Sequence, residues 1–171
     1  MNGESHVTEL ISIQHREIRT FTALAELLII EEKALVECDN NLLLDVLGRQ
    51  EDVLSSIACL EKSRMEVVSR IAESFGLDSE TVTVSQIADR VEQPQKRELG
   101  EVSHVLMEIQ ENLRQKKNTN VLLIRQGITM VENNLRYLVR RFGKGNTDSG
   151  TYSAQARTGA VTGSIGVDGR L

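Results

Sequence analysis

The chain has 171 residues, 40% hydrophobic but only 3% aromatic, with no Trp and a single Pro. Leu, Ile and Val must therefore supply the core, a composition that suits packed helices and suits a sandwich or barrel poorly. A formal net charge of −5 argues against generic nucleic-acid binding.

The first periodic segment runs from about Ser5 to Cys38. Val7, Ile11, Ile18, Phe21, Leu28 and Leu35 recur at spacings of three, four and seven, with Leu10 and Leu24 widening the stripe, which is one face of a helix. Asp39-Asn40-Asn41 breaks it, because Asp and Asn side chains bond nearby backbone N–H groups in turns and N-caps. A second helix is predicted from about Asn40 to Phe75 on Leu43, Val46, Leu47, Val53, Leu54, Ile57, Leu60, Val67 and Ile71. Gly76 reads as its C-cap. Two long helices with a tight break between them should fold back as an antiparallel hairpin.

Between Gly76 and Pro94 the pattern is short, with Thr83 and Gln86 at capping-box spacing ahead of a small helix near Val84 to Val91. Pro94 suits the start of the last helix, where its missing N–H is not needed. That helix is predicted from about Gln95 to Phe142. Leu99, Val102, Leu106, Ile109 and Leu113 keep heptad spacing, Lys116 to Asn120 interrupt it, and Val121, Ile124, Ile128, Val131, Leu135, Leu138 and Phe142 resume it in a new phase, as a stutter does. Arg136, Arg140 and Arg141 complement the dipole end, and Gly143 stops the helix. Seven of the twelve glycines lie from Gly143 onward beside many Ser and Thr, a composition that predicts a flexible tail over residues 143–171.

The fold class expected is all-α: an elongated antiparallel helical bundle or coiled coil of three long helices with one short one, over residues 1–142. At 1.5 Å per residue, helices of about 34, 36 and 48 residues span roughly 50, 54 and 72 Å. In an up–down–up bundle the last helix would overhang by about 20 Å, leaving the apolar residues near Met130 to Phe142 as a partner surface. From periodicity alone the stripe could equally be core or the seam of a homodimer.

No residues are set out for chemistry. His6, His15 and His104 lie at no metal-ligand spacing with Cys or acid, and read as solvated helix-face residues. A histidine phosphotransfer module would carry Lys three residues after the reactive His, where this chain has Ile18 and Met107. Phosphate loops and nucleophile elbows are absent, so no enzyme activity, metal or cofactor is expected. Cys38 and Cys59 lack CxxC spacing and read as small core or boundary residues in a reducing cytosol. The start, MNGESHVTEL, lacks the basic and apolar regions of a secretory signal, and no apolar run approaches the ~18 residues of a membrane span. A cytoplasmic protein without stable membrane insertion is expected.

LRQKKNTNVLLIRQGITMVENNLRYL, from Leu113 to Leu138, resembles the FlgN family of flagellar export chaperones: an Asn-rich break, an apolar pair, then a long amphipathic run ending in Leu-x-x-Leu. Arg49 to Leu54, followed by Leu60-Glu61 and Arg64, is similar to that family's second helix, and Glu31-Glu32-Lys33-Ala34-Leu35 to the end of its first. The family often has Lys where this chain has Asp52. Thr151-Tyr152 opens a Gly/Ser/Thr-rich tail like the family's, with Ser153 in place of the usual Gly. The resemblance implies an all-helical chaperone that binds the C-terminal helical ends of hook-associated junction proteins and works without ATP or metal. It implies that the last helix supplies the client surface, here Val121, Ile124, Ile128, Val131, Leu135, Leu138 and Phe142, and that Tyr152 docks on the export gate. A monomer or weak dimer is expected, against the alternative of a homodimeric coiled-coil structural or adaptor protein.

Overall fold

The computed structural model describes residues 2–142, and among them every regular element is a helix. In chain order these are α1 (Asn2–Glu37), α2 (Asn40–Phe75), α3 (Val84–Ala88) and α4 (Gln95–Phe142). Backbone contacts divide the chain into two units, Met1–Arg125 and Gln126–Leu171. The first holds the bundle; of the second, the helical residues as far as Phe142 are described.

Local chemistry sets the ends. Cys38 takes the left-handed backbone (φ 54°) just past α1, while Asp39 N–H bonds Ala34 O at 3.0 Å and Cys38 N–H reaches Leu35 O at 3.4 Å. This double closure satisfies the last carbonyls of α1, a role usually given to Gly. Asp39 then caps α2, its Oδ1 accepting from Leu42 N–H at 3.0 Å. Gly76 (φ 66°) ends α2 in the same double-bonded way, with Leu77 N–H on Ala72 O at 2.8 Å. The capping box expected at α3 forms in both directions: Thr83 Oγ1 accepts from Gln86 N–H at 3.3 Å, and Gln86 Oε1 accepts from Thr83 N–H at 2.8 Å. The helix ends at Ala88, yet Val91 still packs on the core from the following turn.

Polar contacts between helices give the directions. Arg70 meets Glu9 at 2.9 Å, Arg64 meets Glu17 at 3.1 Å, and Gln50 Nε2 donates to Glu31 at 2.8 Å, so α2 runs antiparallel to α1. Gln95 Nε2 donates to Glu4 O at 3.0 Å, Gln14 Nε2 to Ser103 Oγ at 3.2 Å, and Asn120 Nδ2 to Leu28 O at 2.9 Å. Thus α4 follows α1 in parallel from Gln95 to Asn120, the up–down–up order.

The main core lies where the start of α1, the end of α2, α3 and the start of α4 meet. Val7, Leu10, Val67, Ile71, Ile87 and Leu99 are its most enclosed large members. Toward the α1–α2 turn the packing thins. Ile29, Val36, Leu44, Leu47 and Leu54 are exposed, although Leu47 and Leu54 keep the helical spacing of the core. Both cysteines are free and exposed, correcting their assignment to core or boundary: Cys38 sits at the turn and Cys59 on the outer side of α2.

Candidate partner-binding surface on the last helix

α4 runs as one 48-residue helix straight through Lys116 to Asn120. The interruption in the apolar pattern is therefore a change of side chains and not of backbone. Its reason is Asn120, which occupies a core position at 2% exposure and bonds the Leu28 carbonyl. Up to that point Leu99, Val102 and Leu106 are buried against the bundle.

Beyond Asn120 the exposure changes. Val121 is half-buried, whereas Ile124 is 39% exposed and Ile128, Val131, Leu135, Leu138 and Phe142 are all exposed, Phe142 to 71%. Val121 and Ile124 fall in the first unit, Ile128 to Phe142 in the second. At helical periodicity the seven positions lie within about 100° of arc, one face of α4. A row of large apolar side chains left in water is the feature an incoming helix covers.

Outside the seven named positions, Leu122, Met130, Tyr137 and Val139 are also exposed. Val139 lies on the arc of the stripe, whereas Met130 and Tyr137 widen the apolar surface beyond it. The basic cluster divides. Arg141 lies 5.9 Å from the Tyr137 ring centre and donates to its hydroxyl at 2.8 Å, and Arg136 reaches Glu132 at 3.8 Å. Arg140 has no side-chain partner among the described residues. Lys144 and Tyr152 lie outside the described residues. On the bundle portion of α4, Arg114 grips Glu111 with two bonds of 2.8 Å and, with Gln115, holds that carboxyl down to about 2.

The histidines stand beside single carboxylates: His6 by Glu9 (3.7 Å), His15 by Glu98 (3.6 Å) and His104 by Glu108 (3.6 Å). Among the described residues no group of three or more His, Cys, Asp or Glu could hold a metal ion. No helix among them is long and apolar enough to cross a membrane.

These features define an all-α bundle whose last helix carries an exposed apolar face. Comparison with protein families adds the particular relationship: residues 1–159 match the family model described as FlgN protein, so the chain belongs to the FlgN family, the flagellar export chaperones. No curated protein and no solved structure matches the chain.

Proposed function

We propose that this FlgN-family chain is a cytoplasmic chaperone that binds the C-terminal helical ends of hook-associated, hook–filament junction proteins and delivers them to the flagellar export gate. Val121, Ile124, Ile128, Val131, Leu135, Leu138 and Phe142 form the client surface, and Tyr152 docks on the gate. The observation behind this reading is the run of exposed large apolar side chains at helical spacing on α4 in a member of an export-chaperone family.

The mechanism is coupled folding. A client end with little structure of its own orders as a helix along the stripe, which hides its apolar side from premature association and from proteases. Ordering costs on the order of 2–5 kcal/mol, which caps affinity and permits release at the gate. The chaperone needs no cofactor and carries out no covalent step.

Leu135→Asp with Leu138→Asp tests the assignment. Both side chains are already exposed, so far-UV helicity should persist while capture of a junction protein's C-terminal fragment is lost. A variant that still holds the client would show that the surface is misplaced. Sedimentation separates the homodimer alternative: a tight dimer that covers Leu135 and Leu138 without client would favour a structural coiled coil.

A further inference from the structure

The first unit carries a second, chemically different groove. It opens between the outer sides of α1 and α2, with a volume of about 550 Å³. Arg16, Arg19 and Thr20 line it from α1, and Ser55, Cys59 and Ser63 from α2, with buried Leu60 beneath. Ser55, Cys59 and Ser63 are spaced by four, so they form one row of small side chains along α2. Such a row lets another backbone approach closely.

The charges above this row stand without carboxylates. Arg49, Arg64, Arg70, Arg97, Arg114 and Arg136 each meet a carboxylate. Arg16 and Arg19 have no side-chain partner among the described residues. They stand three apart on one helix face, and no acidic side chain lines the groove with them. Three of the four neighbouring hydroxyls are occupied: Thr20 donates to Arg16 O at 2.9 Å, Ser56 to Asp52 O at 3.1 Å and Ser63 to Cys59 O at 3.1 Å, which leaves the weaker, neutral hydroxyl of Ser55. The free hydrogen-bond donors of strength are thus the two guanidiniums, whose planar forks match carboxylates in paired fashion.

We propose that this groove binds an acidic peptide segment, with carboxylates one helical turn apart on Arg16 and Arg19 and its backbone over the Ser55–Cys59–Ser63 row. Long polyanions fit less well. Two cations supply few phosphate contacts for such a ligand. The site is separate from the α4 stripe and stands or falls without it.

Cys59 supplies the readout, because it lines the groove and is exposed, while Cys38, also exposed, sits at the α1–α2 turn. The full chain is treated with a thiol reagent alone, with a helix-forming peptide bearing Glu at every fourth position, with its Gln twin, or with inorganic phosphate. The Glu peptide should slow modification of Cys59 severalfold and leave Cys38 unchanged, while the Gln twin does neither. Arg16→Gln with Arg19→Gln should weaken that peptide's binding about tenfold, the equivalent of one lost charge-assisted pair. Leu135→Asp with Leu138→Asp should leave Cys59 protection intact. Equal protection by both peptides, protection unchanged in the double Arg variant, or protection by phosphate alone would overturn the proposal.

Discussion

Replacing Asn120 by Leu should make the bundle more stable. The Asn120 side chain is almost wholly enclosed; its Nδ2 donates to Leu28 O at 2.9 Å, but its Oδ1 is buried without a partner. An unsatisfied buried acceptor costs about 1–3 kcal/mol, whereas the single hydrogen bond returns about 1 kcal/mol net. Leucine removes both effects and buries apolar surface worth about 2 kcal/mol, part of which is lost to its greater bulk in a packed site. The balance is a gain of about 1–2 kcal/mol, or roughly 3–6 °C in Tm. Asn120→Asp provides the contrast: both its oxygens are acceptors, so it faces the Leu28 carbonyl with a buried charge and should lose about 3 kcal/mol or more. Urea unfolding followed by far-UV circular dichroism measures all three proteins. A Leu variant no more stable than the native chain, or an Asp variant that is tolerated, would show that Asn120 is not isolated from water and would refute the reasoning. A lone Asn at a core position also fixes register, so the Leu variant should show broader amide spectra despite its stability.

Burial raises the pKa of Glu17 above its usual 4.5, against the opposing pull of Arg64. Its contribution to stability is therefore fully present below about pH 4.5 and lost as pH rises through the raised value. Glu17→Gln should flatten the dependence of the urea midpoint on pH upward of 4.5, and a slope unchanged in that window would refute the assignment. Cys38→Gly should stabilise the chain by about 0.5–1 kcal/mol, because Cys38 holds a left-handed backbone that only Gly adopts freely; a lower urea midpoint would contradict this. A side chain at Gly3 would put its Cβ 2.6 Å from the Phe75 ring. Gly3→Val should cost about 1 kcal/mol, and adding Phe75→Leu should recover part of that loss, as measured by thermal unfolding.

The elements that could be read from the sequence are those whose cause is local. Asp39, Gly76 and the Thr83/Gln86 pair act through bonds to backbone within a few residues, so residue type and spacing suffice to place them. The left-handed Cys38 was not legible, since Gly or Asn is the usual occupant of that position. Burial was harder still, because it depends on what another helix offers at the same height. Leu47 and Leu54 keep the core spacing yet stay in water, whereas Gln14, Glu17 and Asn120 are buried, each bonded to a neighbouring helix. Asn120 shows the difference most plainly. Its residue type reads as a break, but the Leu28 carbonyl across the interface gives it a partner and α4 continues. The stripe from Val121 to Phe142 was visible as a period of apolar residues; that Met130, Tyr137 and Val139 add to it follows only from their exposure.

The distribution of packing in the first unit has a physical consequence. α3 is five residues long, below the length at which a helix persists alone, so its capping box and the burial of Ile87 and Ala88 must hold it in place. In return it closes the end where Val7, Leu10, Ile71 and Leu99 meet. At the other end a smaller buried set, Leu27, Leu28, Ala34 and Val46, stands beside the bonds of Gln50 with Glu31 and Asn120 with Leu28, while Ile29, Val36, Leu44, Leu47 and Leu54 lie in water. Apolar burial is the main stabilising contribution, so resistance to opening is concentrated at the α3 end. The α1–α2 turn can then loosen with the main apolar cluster intact, since no buried member of that cluster lies between Ile13 and Leu60 and only half-buried Ile18 packs on it from that stretch.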